Sequence, residues 1–358
     1  MSVDVATPEV LIHRARLDAN IARMADATAS AGIGLRPHVK THKVLEIARS
    51  QLAAGAVGLT VATVGEAEVF VADGATDVLI AYPLWATSEI GRRLQALVER
   101  ATITVGVDSP EGAANLAQHL GASASRIEAW VEVDSGHHRS GVRPGSVEED
   151  RIADGTGLGL TGVFTFPGHG YLPGQAKDAA RQEGEALSSV AARLRAAGHD
   201  IRHASGGSSP SVAFSSPDHV TEVRPGVYAL GDAQQFELGR CGWDDIALSV
   251  ATTVVSQRVE SRELIANAGS KVLGSDRPAW TTGYGRVLEA QGARVTALSE
   301  HHATVRWPDE GRMPALGEQI RLIPNHVCLT MNLLDEVAVV EDDIVVDRWV
   351  VAARGRNR

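Results

Sequence analysis

Leu35-Arg36-Pro37-His38-Val39-Lys40-Thr41-His42-Lys43 is the stretch from which the fold is read. The apolar lead-in Gly32-Ile33-Gly34-Leu35 predicts a short buried strand, and Val44-Leu45-Glu46-Ile47-Ala48-Arg49 resumes at helical spacing. The basic cluster therefore falls on a strand-to-helix turn, where α/β enzymes keep their chemistry. A lysine amine is nucleophilic only when deprotonated, and desolvation or neighbouring cations lower its pKa. In sequence, Arg36, His38, His42 and Lys43 are placed to crowd Lys40. A solvated basic turn is the plainer reading of the same nine residues.

Outward from this stretch the chain alternates strand and helix for some two hundred residues. Strands are expected at 33–39, 57–62, 77–82, 102–107, 127–133, 159–165, 200–204 and 220–223. The stretches between them, such as 64–72, 110–120 and 175–197, are Ala- and Leu-rich at helical spacing, and Gly55, Gly74, Gly121 and Gly198 stand where C-caps belong. Eight such units close into a (β/α)8 TIM-type barrel, because right-handed crossovers return each strand beside the last. Upstream, Val10-Leu11-Ile12 predicts a strand and Leu17, Ile21, Met24 and Ala25 one face of a helix. Beyond about residue 240 the pattern becomes short β-branched runs at 251–256, 263–266, 303–307, 319–323 and 343–351 with polar turns, the signature of an antiparallel β-domain. The expected division is a barrel over 10–240 and a β-domain over 241–358, with residues 1–9 packing on the latter.

A chain of 358 residues accommodates two such domains. Its net charge of -10 and scattered basic residues argue against nucleic acid or an anionic membrane as the main partner, leaving a small metabolite. The first residues lack a basic, then apolar, leader, and no apolar run approaches spanning length, so a cytoplasmic protein is expected. Two cysteines, Cys241 and Cys328, exclude a disulfide framework.

In a barrel the residues after each strand carry the chemistry. Lys40 follows the first strand. Glu132-Val133-Asp134-Ser135-Gly136-His137-His138-Arg139 follows the fifth; Arg139 either faces a planar or anionic ligand or forms a surface ion pair with Asp134. Phe166-Pro167-Gly168-His169-Gly170-Tyr171 follows the sixth, with His169 and Tyr171 as acid/base candidates, although a His in a Gly-flanked loop is often only a satisfied hydrogen-bonder. After the seventh, Ser205-Gly206-Gly207-Ser208-Ser209-Pro210 lets backbone amides converge and adds hydroxyls, as phosphate requires; a flexible turn is the alternative. Arg224-Pro225-Gly226-Val227-Tyr228 follows the eighth strand, in reach of the same pocket. In the β-domain, Pro324-Asn325-His326-Val327-Cys328, read as extended, puts His326 and Cys328 on one face at chelating spacing, with zinc the natural guest. The letters Gly157 to Gly162 match a dinucleotide fingerprint, but its second half is the sixth strand.

Taken together, these blocks resemble the fold-type III pyridoxal-phosphate enzymes, in particular the D-threonine aldolase and D-serine dehydratase family. The resemblance runs nearly end to end, through RPHVKTHK (36–43), EVDSGHHRSGV (132–142), FPGHGY (166–171), SGGSSP (205–210), RPGVYALGD (224–232), NAGSKVLGSD (267–276), LSEHH (298–302) and PNHVC (324–328). It implies an alanine-racemase-like N-terminal barrel carrying pyridoxal 5'-phosphate, a C-terminal β-domain, and a homodimer whose active site borrows from the partner. Lys40 matches the lysine that binds the cofactor covalently, and Lys43 does not. Gly206, Gly207 and Ser208, with Tyr228, match the phosphate site; Arg139 matches the arginine facing the cofactor ring, and Tyr171 stands with this cofactor-binding group. His326 and Cys328 match a divalent-metal pair, for zinc or alternatively manganese. The dehydratase branch carries His-x-Cys where aldolases typically carry His-x-Asp.

The activity expected is a lyase acting on D-serine, D-threonine or D-3-hydroxyaspartate, a small-molecule D-amino acid bearing a β-hydroxyl. With Lys40 as base at Cα the outcome is dehydration; with His169 as base at the hydroxyl it is aldol cleavage to glycine and an aldehyde. An alanine-racemase-like isomerase shares the barrel and Lys40 but has no use for a metal pair. A non-catalytic carrier of the cofactor shares the barrel but not the need for a large β-domain.

Overall fold

Buried runs of Val, Ile and Leu, most of them followed by a helix, become parallel strands of a barrel. After an opening strand β1 (Glu9–His13) and the helix Arg14–Ser30 come β2 (Gly34–Leu35), β3 (Leu59–Val61), β4 (Asp77–Pro83), β5 (Thr102–Val107), β6 (Glu128–Glu132), β7 (Gly159–Phe164), β8 (His203–Gly206) and β9 (Glu222–Val223). The sheet runs β2-β9-β8-β7-β6-β5-β4-β3, every pairing parallel. A parallel bridge from His38 to Thr60 joins the two ends. Eight strands are thus present as expected, and the (β/α)8 reading holds.

Strand limits differ from expectation where local chemistry interrupts the ladder. The first strand stops at Leu35, before Pro37, which has no N–H to donate; the Arg36 and His38 N–H groups still donate to the Val223 and Pro225 carbonyls. The seventh begins at His203 and continues to Gly206. Thr63, Thr87 and Ser109 start the helices Val64–Ala72, Ser88–Leu97 and Pro110–Leu120 by accepting the N–H of Glu66, Ile90 and Gly112, and Pro110 takes the first helical position, where no donor is needed.

The computed structural model describes residues 3–155 and 157–358. They form two units: Met24–Lys40, Ala48–Gly226 and Arg356–Arg358 in the barrel unit; the chain up to Arg23, Thr41–Ile47 and Val227–Gly355 in the other. The second unit is built on β10 (Leu248–Arg258), β11 (Glu263–Ala266), β12 (Gly285–Val287), β13 (Ala290–Leu298), β14 (Ala303–Arg306), β15 (Gln319–Pro324), β16 (Glu336–Glu341) and β17 (Ile344–Val350). Its sheet runs β11-β14-β13-β12-β15-β10-β1-β16-β17, and β11 also pairs with β10, closing six strands into a ring. β1 lies in this sheet, antiparallel to β10 and parallel to β16, so one pairing departs from an all-antiparallel pattern. Thr7 hydrogen-bonds Thr253 and Asn267 of the same unit. Leu248, Val250, Leu264, Val295, Val305, Leu322 and Val337 are fully buried in its core, each side chain stabilising the fold by about 1.5–3 kcal/mol. Among the described residues no helix is long and apolar enough to cross a membrane.

Candidate active site

In the barrel unit, Lys40 is carried on a single 3-10 turn, Val39–Thr41, anchored by the fully buried Val39. Its Nζ lies 5.9 Å from the centre of the Phe166 ring. The Arg139 guanidinium lies 5.0 Å from the same centre, the Tyr171 ring 6.1 Å from it, and His137 meets it edge-on at 5.5 Å. One aromatic side chain from the loop after β7 thus gathers residues from the loops after β2 and β6.

Of the residues that the sequence places around Lys40, His38 feels its charge, whereas Arg36 is engaged elsewhere. Arg36 turns into the barrel, its Nε 2.9 and 3.0 Å from the two Glu222 oxygens and its Nη1 2.5 Å from Asp77. In the other unit, Lys43 Nζ donates to Asn332 Oδ1 at 2.7 Å, and His42 Nδ1 accepts the Val44 N–H. The charges felt at His38 are Lys40, Arg224 and Arg139; after burial, the largest effect, they hold its imidazole neutral, well below its ordinary pKa. One His38 ring nitrogen donates to the Thr60 backbone, whereas Nδ1 is buried with no hydrogen-bond partner.

Arg139 approaches Glu132 at 3.7 Å, and Asp134 pairs with His138 at 2.7 Å, so the surface pair Arg139–Asp134 does not form. Burial pushes the Glu132 carboxyl above its usual range, opposed by Ser140, Arg139 and Arg224. His169 sits on the turn Gly168–Tyr171 with Nε2 2.8 Å from Gln182 Oε1; its Nδ1 is buried without a partner. A side chain at Gly136 would stand 3.4 Å from the His169 ring, and one at Gly168 only 2.6 Å from His137.

The Ser205–Pro210 loop leaves β8 through Gly207, whose φ of +72° favours glycine. A Cβ there would meet Val223 at 2.7 Å, and one at Gly206 would meet Glu183 Oε1 at 2.5 Å. The loop's amides have acceptors within the chain: Gly207 N–H donates to Glu183 Oε1 at 2.6 Å, and Ser208 N–H to Ser211 Oγ at 2.9 Å. Glu183, on the helix Ala176–Ala196, is fully buried, which raises its pKa to about 7 against the pull of Gly207 and Arg224. Arg224 Nη1 donates to Ser205 Oγ at 2.6 Å and Nη2 to the Thr165 carbonyl. Tyr228 belongs to the other unit, on the turn Val227–Ala229, packed against that unit's core.

The sequence reading missed the Arg36–Glu222–Asp77 group, Arg224's buried contacts and Glu183. Glu222 and Arg224 did leave a signal: charges two apart at the end of a strand buried on both faces must point inward or into the wall. A pyridoxal phosphate fits this setting on the chain's own chemistry, because Lys40, Arg139 and Arg224 suit a polyanion and His38 Nδ1 is a buried acceptor in need of a donor.

In the second unit the expected extended run around His326 is corrected. His326 has extended φ and ψ but is the N-cap of the helix Val327–Asn332, and Cys328 lies in its first turn. Val327, Thr330 and Met331, three and four residues apart, are buried, which is helical and not strand periodicity. The helix still brings the pair together: a hydrogen bond joins the His326 imidazole to Cys328. His326 Nδ1 lies 2.7 Å from Asp276 Oδ2, and Cys328 Sγ 3.3 Å from the Thr41 hydroxyl. Burial lowers the His326 pKa, but Cys328 and Asp276 outweigh it and raise it to about 11. Among the described residues no three or more His, Cys, Asp and Glu side chains converge as a metal set. A nitrogen and a sulfur donor fit zinc, with its other positions left to water or substrate.

Residues 12–234 match the family described as alanine racemase, N-terminal domain, and residues 247–340 match the putative serine dehydratase domain. The D-threo-3-hydroxyaspartate dehydratase of Delftia sp. is 34% identical over 96% of each chain. Its solved structure superposes with a TM-score of 0.88, covering 98% of this chain and 99% of that one at 32% identity. A cysteine-to-alanine variant of that enzyme is described as metal-free. The D-threonine aldolase of Arthrobacter sp. is 31% identical over 99% of this chain and 94% of that one. The D-serine dehydratase of Dictyostelium discoideum is 27% identical over 94% of each.

Proposed function

Because this chain belongs to the family that joins an alanine-racemase-type N-terminal domain to a serine dehydratase domain, we propose that it is a pyridoxal 5'-phosphate- and divalent-metal-dependent lyase that dehydrates β-hydroxy-D-amino acids. The observation that carries this reading is the gathering of Lys40, Arg139 and Tyr171 on Phe166. The dehydratase branch is favoured by the His326-x-Cys328 pair and by the full-length likeness to the Delftia enzyme. Candidate substrates are D-serine, D-threonine and D-3-hydroxyaspartate.

In this proposal Lys40 holds the cofactor covalently, Arg139 and Tyr171 lie along it, and Gly206, Gly207 and Ser208, with Tyr228, receive its phosphate. When bound, the cofactor supplies an electron sink for charge developing at the substrate Cα. Zinc, or alternatively manganese, held by His326 and Cys328 supplies Lewis acidity toward the β-hydroxyl. Lys40 Nζ, displaced from the cofactor by the substrate amine, would take the Cα proton; the β-hydroxyl leaves as water, and hydrolysis of the dehydrated product gives a 2-oxo acid and ammonia. In the aldolase outcome, which the Arthrobacter relative supports, His169 takes the hydroxyl proton and the Cα–Cβ bond breaks. We assign cofactor binding to the barrel unit and the metal to the β-sheet unit, whose main segment begins at Val227 rather than at 241 and which takes in β1, in a cytoplasmic homodimer.

The test is incubation of the protein, supplied with pyridoxal phosphate and zinc or manganese, with D-threonine, D-serine and D-3-hydroxyaspartate. Dehydration releases ammonia with 2-oxobutyrate, pyruvate or oxaloacetate; acetaldehyde plus glycine from D-threonine marks the aldolase. Racemisation of alanine without metal, with neither product, refutes both.

A further inference from the structure

We propose that Asp276 is a positioning residue for the metal: its carboxylate fixes the tautomer of His326 so that the imidazole presents Nε2 as a ligand. The proposal rests on His326 and Cys328 being the metal pair. A neutral imidazole carries its proton on one nitrogen and its lone pair on the other, and the group that accepts the proton decides which nitrogen can bind a metal. Asp276 Oδ2 stands 2.7 Å from His326 Nδ1. That places the proton on Nδ1 and leaves Nε2 its lone pair, in a ring that also hydrogen-bonds Cys328.

The backbone that carries Asp276 is held by contacts within the same unit. Asp276 follows the short helix Ser270–Leu273, and the Thr330 hydroxyl, on the helix that carries Cys328, donates to the Leu273 carbonyl at 2.8 Å. Gly274, at φ +75°, packs so closely that a Cβ would meet Leu329 Cδ2 at 2.7 Å. Asn325, buried beside His326, donates through Nδ2 to the Asp276 and Gly283 carbonyls at 3.1 and 3.0 Å. On the far side, buried Asp232 accepts the Val327 N–H at 3.2 Å, holding the backbone between the two ligands. The Asp276 main chain is thus held through its carbonyl by Asn325, the neighbour of the ligand it addresses, as expected of a carboxylate that orients a metal-binding histidine. A surface ion pair would have no such support.

The experiment is zinc titration of the metal-stripped full-length protein against a chromophoric chelator, for wild type, Asp276→Ala, Asp276→Asn and, as reference, His326→Ala. Asp276→Ala is expected to weaken zinc binding about 10–100-fold. Asp276→Asn, which keeps an acceptor without its charge, is expected to fall between Asp276→Ala and wild type. The thiolate-to-metal absorption band of the cobalt-loaded protein should change in Asp276→Ala and be largely restored in Asp276→Asn. Wild-type zinc affinity in Asp276→Ala, with affinity lost in His326→Ala, overturns the proposal and leaves the metal pair standing. Wild-type affinity in His326→Ala as well refutes the pair itself, and the proposal with it. Should Asp276→Ala lose its fold by circular dichroism, Asp276→Asn decides alone: a several-fold loss supports the proposal, and unchanged affinity overturns it.

Discussion

Glu183 ties the stability of this protein to pH through the loop proposed to hold the phosphate. Its carboxyl is fully buried and accepts the Gly207 N–H at 2.6 Å, and burial raises its pKa from 4.5 to about 7. A carboxyl whose folded pKa exceeds its unfolded value stabilises the fold fully below the unfolded value and loses that contribution as pH rises through the folded one. The window is therefore pH 4.5 to 7. At about 1.4 kcal/mol per pK unit, ionising Glu183 in place costs roughly 3 kcal/mol by pH 8. Glu183→Gln keeps an acceptor for Gly207 and never ionises. The difference in unfolding free energy between the variant and wild type, measured by urea titration at half-unit steps from pH 4.5 to 8.5, should move in favour of the variant by roughly 3 kcal/mol and level off above about pH 8. Other titrating groups are common to both proteins and cancel in the difference. A difference that stays constant with pH, or that moves the other way, refutes the reasoning.

Arg36→Met removes the partner of a buried carboxylate, Glu222, and should destabilise the barrel by about 3–5 kcal/mol; Arg36→Met with Glu222→Leu should recover most of that loss in the same urea assay, and additive losses would contradict an ion-pair account. His169→Ala should lower kcat for whichever reaction uses His169 as base by about 10²–10⁴-fold with little change in KM; a normal kcat for both elimination and aldol cleavage removes His169 from the chemistry. Exhaustive chelation should abolish lyase turnover and zinc or manganese restore it, whereas turnover that survives chelation argues for a metal-independent isomerase.

What could be read in advance followed from local periodicity. The runs that became β5 and β6 alternate with stretches at helical spacing that end at glycines such as Gly74 and Gly121, so strand number and barrel class were legible. The partners of β1 were not: Val10-Leu11-Ile12 reads equally as a barrel strand, and only its pairing with β10 and β16 places it in the other sheet. The turn at His326 was misread because a spacing of two suits a strand, although Val327, Thr330 and Met331 already carried helical spacing. The surroundings of Lys40 were legible only in part, for a different reason. Adjacency in sequence says little about direction: Arg36 points to Glu222, while Arg139 and Arg224, far along the chain, act at His38 beside Lys40. Gly206 and Gly207 drew notice as flexible donors, yet the chain itself accepts from Gly207 through a buried glutamate that no local pattern announces.

The central claim is a covalent bond between Lys40 and the cofactor. Reduction of the pyridoxal-phosphate-loaded protein with borohydride, followed by peptide mass spectrometry, should find the phosphopyridoxyl mass on Lys40 alone and no stable label in Lys40→Ala. Label on another lysine, or equal labelling of the Lys40→Ala protein, would contradict the account.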